Sequence, residues 1–552
     1  MKINKKLHHV IYATFSLTVL FLFFRNYTEY LDVSLLDESG YLLLSRFHPI
    51  IYPGGYGALY ILCYKIAHQF ISNDIQLHYT AIIFLTWLPS VVLCIFLYVR
   101  RVPWILCVFL SWCLMLSSFI AAFDWWPRIS HFAISFLLLY AAISYYLKFN
   151  YLKFLLFGAL VCGVLAFARP ELLMSAYLLI AILIVFVGYQ KFYLKETINF
   201  GLTKWNKIIF TILFLIFSLF FLVWKSPIKN TGRAYFALGQ HYAFNVLRWE
   251  NKDMTYFIRW PEIFEKKFGK SRTFKQMYKN NPAETKRHVI ENIKHYFEQT
   301  YNFIPELWIP KYILNINSLY KYFIFIVIFI GLLYCLGFEK YKREFVKNVK
   351  SSFIYLLFFA VIAAPPLFAS FIIFPREHYF IMQLPLFIYV LYILISPFFD
   401  LKFKINPKFI LPLCLIIISG LVLVTPHISK YPRYNKFAQY ENPSYVPYIN
   451  YIKSLGIKDK VNLLTIEFLQ IYLPNNFAYA TEYFTNKPFY DSLVVAKDIN
   501  MIYLSSYMEN EDRHQSDSTF QNFMYHYKDL NWEKIILKDA DGSLFVKKEL
   551  LK

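Results

Sequence analysis

The sequence predicts a polytopic α-helical membrane protein of about eleven spans, with a small extracytoplasmic α/β domain at its C-terminal end. Three observations carry that reading. The chain of 552 residues is 58% hydrophobic and 21% aromatic but only 17% charged, where a soluble chain carries about 25% charged residues. The apolar residues gather in blocks of roughly 18 to 22, the length a helix needs to cross about 30 Å of hydrocarbon. Such a backbone satisfies its own hydrogen bonds, as lipid requires. Finally, Lys and Arg cluster in short stretches between the blocks, the pattern of cytoplasmic loops.

In chain order, Met1 to Val10 is basic and leads into an apolar stretch ending near Phe24. Arg25, Asn26 and Tyr27 come next in place of a small-residue cleavage site, which predicts an uncleaved signal anchor with a cytoplasmic N-terminus. Further spans are predicted at about 79–99, 102–122, 129–147, 152–168, 171–189, 207–224, 319–337, 351–374, 378–398 and 408–425. Alternating crossings put Arg100–Arg101, Lys148–Lys153, Lys191–Lys207, Lys340–Lys350 and Lys402–Lys408 inside, so every short basic loop agrees. A transmembrane domain over 1–425 then carries outer loops 25–78 and 225–318, and 426–552 forms the outer domain. The loop 225–318 is itself basic, but loops longer than about 60 residues escape the charge rule.

Within the first outer loop, Leu59, Leu62, Ile66 and Phe70 recur at helical spacing opposite Lys65, His68 and Gln69, as in a helix lying on a membrane surface. In the last segment, Val461 to Phe468 and Asn500 to Ser506 read as strands and Thr519 to Tyr527 as a helix. Ile535 to Lys547 reads as a hairpin turning at Asp541-Gly542. Asp539 and Asp541 are a fragment of a calcium-loop pattern whose other ligands are missing, so a turn is preferred.

The formal charge of +22 does not point to nucleic acid, because no arginine-rich arm, zinc-finger spacing or aromatic RNA-binding signature accompanies it. Cys63, Cys94, Cys107, Cys113, Cys162, Cys335 and Cys414 form no CxxC pair and read as buried small hydrophobes. Gly54-Gly55-Tyr56-Gly57 lacks the strand, spacing and Lys of a phosphate loop and reads as a turn.

The predicted topology sorts the ionisable residues. Asp37, Glu38, Asp124, Arg128, Arg169, Glu171, Arg376, Glu377 and His378 all fall at or just beyond outer span ends, while the inner ends hold mainly Lys and Arg. A charge near hydrocarbon costs a few kcal/mol or more unless paired or hydrated, so both signs on one face suggest a polar cavity there. Asp37 and Glu38 can share a proton-accepting and an orienting role, or together hold a divalent cation. The plain alternative is a helix start, where acids complement the dipole. Arg376 and His378, in Phe374-Pro375-Arg376-Glu377-His378-Tyr379, can grip phosphate and donate to an oxyanion, or Arg376 can simply snorkel. Arg169-Pro170-Glu171 has the same readings, plus that of a local ion pair.

These residues carry a resemblance. The chain resembles the GT-C class of membrane glycosyltransferases, in particular the bacterial relatives of protein O-mannosyltransferases and of the lipid A aminoarabinose transferase. The likeness rests on Asp37-Glu38 in a long first outer loop with surface helices, Arg128 after the third span, and the Arg169-Pro170-Glu171 turn. The late Pro375-Arg376-Glu377-His378-Tyr379 and the outer C-terminal α/β domain complete it. The resemblance implies a multi-pass protein of a bacterial inner membrane, a sugar donor on a polyprenyl phosphate, and a glycan, lipid or protein acceptor. It makes Asp37 the base and Arg376 a phosphate ligand, with Arg128 and Arg169 as further candidates. Asp124-Trp125-Trp126-Pro127-Arg128 departs from the family's usual acidic-x-Arg pattern, which leaves the role of Asp124 open. Other readings are an O-antigen polymerase or ligase, favoured by the basic loop 225–318, and a lipid or sugar transporter. Transporters commonly carry internal repeats and mid-bilayer ionisable residues, and neither is visible here.

Overall fold

The computed structural model describes residues 37–47, 57–72, 74–122, 128–195, 197–227, 233–252, 259–308, 337, 339–400, 446–465, 469–474, 476–480, 488–509, 512–538 and 540–551. Most of these are helical, with one small sheet near the C-terminal end. The helices in chain order begin with α1 (Asp37–Phe47), α2 (Ala58–Ala67), α3 (Asp74–Val99) and α4 (Trp104–Ala122). Next come α5 (Ile129–Tyr146), α6 (Tyr151–Leu165), α7 (Glu171–Gly188) and α8 (Lys204–Trp224). The rest are α9 (Arg233–Glu250), α10 (Trp260–Phe268), α11 (Phe274–Asn280), α12 (Pro282–Trp308), α13 (Glu339–Ile372), α14 (Glu377–Phe380) and α15 (Leu384–Asp400).

Seven of the predicted spans thus coincide with single helices, and an eighth, 378–398, with two. The signal anchor and the span at 408–425 lie outside the described residues, as does all but residue 337 of the span at 319–337. Among the described residues, five helical segments are long and apolar enough to cross a membrane: Gln76–Val99, Ile129–Tyr146, Glu171–Tyr193, Lys204–Trp224 and Tyr341–Ile372. α7 and α8 turn large apolar side chains outward, among them Ile184, Val185, Leu215 and Leu222. A water-facing helix would carry polar residues there, and a lipid-facing one needs the apolar side chains these helices carry.

The helix ends obey local chemistry. Asn150 caps α6 by accepting from the Lys153 amide at 2.8 Å, and Thr203 with Asn206 forms a reciprocal capping box at the start of α8. Arg101, Lys148 and Lys225 take left-handed backbone just past α3, α5 and α8, placing cations where the helix dipole is negative. Pro89 lies inside α3, and Pro365 with Pro366 inside α13, each removing a backbone donor without ending the helix. The span predicted at 378–398 is broken. α14 ends at Phe380 and α15 starts at Leu384, with Pro385 in its first turn, where a missing N–H is tolerated.

The chain divides into two compact units. One comprises Met1–Arg25, Ile50–Tyr60 and Ile82–Pro426; the other comprises Asn26–Pro49, Ile61–Ala81 and His427–Lys552. In the first, residues near the C-terminal ends of α3 (Arg100) and α5 (Tyr145) meet Ser352 and Tyr355 in the N-terminal half of α13 and Tyr389 of α15. α2 buries Ala58, Tyr60 and Tyr64 and exposes Ile66, with Phe70 exposed just beyond, so the predicted apolar stripe faces outward at its C-terminal end.

The second unit holds a five-stranded mixed sheet of β1 (Val461–Leu464), β2 (Phe477–Ala480), β3 (Met501–Leu504), β4 (Trp532–Ile535) and β5 (Ser543–Lys547), in the order β2-β1-β3-β5-β4. β1 runs parallel to β2 and β3, and β5 antiparallel to β3 and β4. Alternation along the strands fills two cores. Val461, Leu463, Met501, Tyr503, Leu544 and Val546 pack with Tyr448, Ile449 and Ile452 of the helix Val446–Ser454. Leu464, Ile502, Leu504 and Phe545 pack with Phe520 and Phe523 of the helix Ser518–His526. β1, β3 and β5 fall within the segments the sequence predicts as strands, whereas β4 ends at Ile535, where the hairpin is expected to begin, and β2 matches no predicted strand. Asp541 serves the hairpin turn, taking hydrogen bonds from the amide and hydroxyl of Ser506; Asp539 lies outside the described residues. α1 joins this unit, with Arg46 Nη2 donating to the Leu473 carbonyl at 3.2 Å.

Gly542 is required at that turn. Its φ is +79°, and a Cβ would lie 2.0 Å from the Leu504 carbonyl oxygen. Gly456, at φ +60°, faces open space. Gly542→Ala is therefore expected to destabilise the sheet by about 2 kcal/mol or more, and Gly456→Ala only by its backbone strain of about 1 kcal/mol. Amide hydrogen exchange across β3 and β5 measures the difference.

Candidate functional site

The loop predicted at 225–318 folds, over its described residues, as a cap of four helices, α9 to α12, seated on the C-terminal end of α13. Its core is Leu238, Tyr242, Val246, Phe264, Phe268 and Met277, with Ile372 and Ile373 packed against it. α9 and α10 approach so closely that a Cβ on Gly239 would meet the Trp260 ring at 2.4 Å. Beneath this core lies a buried polar network. Asn245 Nδ2 lies 2.9 Å from His288 Nδ1 and donates to Asn292 Oδ1 at 2.8 Å. Asn292 Nδ2 donates to the Phe371 and Ile373 carbonyls at 3.0 and 3.1 Å. These carbonyls belong to the last turn of α13 and the residue just past it, which have no intrahelical donors left for them, so the cap finishes the helix.

The same faces of α9 and α12 frame the segment just past α13. The Phe374 ring is stacked with His241 at 5.9 Å, and it lies 5.7 Å from Phe244 and 5.2 Å from His295. The Arg376 guanidinium lies 5.4 Å from the centre of the Phe244 ring, a cation–π arrangement. Burial, and then the positive charge of Arg248, hold the His295 imidazole below its usual range against the opposing pull of Glu298 and Glu291. Tyr296 donates to Gln383 Oε1 at 2.6 Å and stacks on Phe380, tying α12 to the turn after α14. The outcome is a rim of cations and aromatic faces at the end of an apolar helix.

His288 is fully buried, and burial pulls its pKa down to about 4. An unfolded histidine titrates near about 6.5. The unfolded chain therefore takes up the proton first as pH falls. The stabilising contribution is complete above about pH 6.5, declines below it, and stops declining below about pH 4. Hydrogen exchange in α12 should accelerate on the order of ten- to thirtyfold between pH 7.5 and 5, after correction for intrinsic rates. His288→Gln should flatten that dependence.

The residues singled out in the sequence fall in different places. Arg128 is completely buried at the start of α5 and donates through Nε to Thr86 Oγ1 on α3 at 2.9 Å. Arg169 is buried and pairs with Glu171 at 3.1 Å across the α6–α7 turn, so the local ion pair is formed. Arg376 is partly exposed on the cap rim. Asp37 and Glu38 open α1, in the other compact unit; only their backbone is described. The backbone of His378 lies in α14, and Asp124 lies outside the described residues. Among the described residues no three His, Cys, Asp or Glu side chains converge as metal ligands; the carboxylates of Asp37 and Glu38 are not among them.

Sequence reasoning does not single out His241, Phe244, Arg248 and His295. Their signal is the spacing 241, 244, 245, 248 on α9 and 288, 292, 295, 296 on α12. It marks one polar and aromatic face on each helix. No protein-family model, no curated protein and no solved structure matches this chain.

Proposed function

We propose that the chain is a membrane glycosyltransferase that moves a sugar from a polyprenyl-phosphate donor to an acceptor hydroxyl on the outer face of a bacterial inner membrane. The observation that supports this most is the rim around Phe374 and Arg376. It sets a guanidinium, two imidazoles and a second arginine beside aromatic faces at the end of an apolar helix. A phosphate carried on a polyprenyl tail needs this combination of cationic head site and lipid-facing surface.

The reaction is a single displacement at the anomeric carbon. The acceptor oxygen bonds to that carbon as the bond to the phosphate oxygen breaks, and the electron pair leaves with the lipid phosphate. Asp37 accepts the acceptor's proton, and Arg376 stabilises the departing phosphate. Glu38 orients the hydroxyl or shares a divalent cation with Asp37. Arg128, held on Thr86, and the Arg169–Glu171 pair stiffen the helix ends they join. The assay is purified protein in liposomes with labelled polyprenyl-phosphate sugars and candidate acceptors. Transfer of label with release of polyprenyl phosphate is the expected result. Donor left intact across the common hexoses and pentoses would overturn it. A polymerase or ligase reading draws on Arg248, Arg376 and the histidines of the basic cap; consumption of a lipid-linked oligosaccharide instead would favour it.

A further inference from the structure

In the N-terminal half of α13, about 30 Å along the helix from the cap, Arg100 enters a cage of aromatic rings. Its guanidinium carbon lies 5.7 Å from the ring centre of Phe96, 5.5 Å from Tyr145, and 5.3 Å from each of Tyr355, Tyr389 and Tyr392. Nη2 donates to Ser352 Oγ at 2.9 Å. Nη1 is buried with no hydrogen-bond partner among the described residues, and no carboxylate there pairs with the guanidinium. Tyr389 is 1% exposed, and its hydroxyl is likewise buried without a partner among the described residues.

Ring faces offset the charge of a buried guanidinium, but they are weak and poorly directed acceptors for its N–H groups. Two N–H groups of Nη1 and the Tyr389 hydroxyl are thus left in one cluster without an oxygen acceptor, a situation native interiors resolve with water or a ligand. A buried cation without an anion favours the ligand that brings negative charge. The surroundings agree: Arg101, Lys148 and Lys350, exposed and close in sequence to Arg100, Tyr145 and Ser352, would draw anions to this end. Arg100 as a residue is partly exposed, while its Nη1 is buried within the cage.

We propose that Arg100 Nη1 and the Tyr389 hydroxyl form a second, non-catalytic site that binds a phosphate oxyanion, supplied by the headgroup of an anionic phospholipid or by soluble phosphate. The site is independent of the sugar-transfer reading. It ties α3, α5, α13 and α15 together and makes the stability of the bundle depend on that anion.

Tyr389→Phe keeps the ring and removes only the hydroxyl. Melting of the detergent-solubilised full chain is followed with phosphatidylglycerol, with phosphatidylcholine and with inorganic phosphate. Wild type is expected to be stabilised by phosphatidylglycerol or by phosphate and not by phosphatidylcholine. Tyr389→Phe should need about tenfold more of the same anion for half the effect. Stabilisation by phosphatidylglycerol alone identifies a lipid headgroup, and stabilisation by inorganic phosphate identifies a soluble source. If no anion binds, removing an unpartnered buried hydroxyl leaves melting unchanged or raises it. The proposal is overturned by that outcome together with an identical anion response in the two proteins, or by no response in wild type.

Discussion

Asp37→Asn is expected to lower sugar transfer by about a hundred- to ten-thousandfold, the usual loss when a general base is removed, while the protein still inserts and accumulates normally. Asn keeps the shape of the side chain and cannot take a proton. The competing explanation is that Asp37, as the first residue of α1, merely complements the helix dipole. That role is worth about 0.3 to 1 kcal/mol, and Asn is itself well suited to a helix start. A dipole role therefore predicts nearly full turnover in Asp37→Asn, and catalysis predicts almost none. Glu38→Gln extends the test. A mild loss fits an orienting carboxylate, whereas a loss as severe as that of Asp37→Asn, matched by a chelator acting on wild type, fits a shared divalent cation. Wild-type turnover in Asp37→Asn would return the pair to a helix-start role.

The helices are readable in the sequence because lipid-facing helices are apolar nearly all round. Block length alone then locates α3, α5, α7 and α8. The start of α15 escapes this reading because Phe380 to Gln383 is nearly as apolar as the helix itself, and only Pro385 marks the boundary. In the C-terminal unit, strand alternation and the Asp541-Gly542 turn are local signals, and they locate β1, β3 and β5; β4 lies just before the expected hairpin, with only Ile535 shared.

The sites are less legible, for one physical reason: each depends on partners far apart in the chain. Arg128 looks like an interfacial charge, yet it is fully buried because Thr86, more than forty residues earlier, accepts from it. Arg100 reads as one member of a basic loop, but its cage draws rings from α3, α5, α13 and α15. Asn245, His288 and Asn292 look like surface residues of a polar loop. They become a core only because each satisfies another or a terminal carbonyl of α13. By contrast, the Arg169–Glu171 pair is two residues apart, and a local ion pair is one of the three readings its sequence allows.

Arg376→Ala is expected to weaken donor use about ten- to a hundredfold, since a hydrogen bond to a charged group contributes about 1.5 to 3 kcal/mol. The cap makes this more specific than an arginine beside a membrane would. The guanidinium carbon lies 5.4 Å from the Phe244 ring centre, a cation–π contact that supports Arg376, and a planar guanidinium fork matches two phosphate oxygens as an ammonium does not. Lysine carries the charge without that fork, so Arg376→Lys should recover only part of the loss. Phe244→Leu tests the support alone. It keeps the cation and apolar bulk but removes the ring face, and should raise the KM for donor while leaving kcat closer to wild type. Snorkelling predicts a different pattern, in which Arg376→Lys is equivalent to wild type and Phe244→Leu leaves the donor KM untouched. Measuring donor KM and kcat for the three variants, with melting temperature as the control for cap integrity, separates the two. An unchanged donor KM in well-folded Arg376→Ala would remove this residue from the phosphate site.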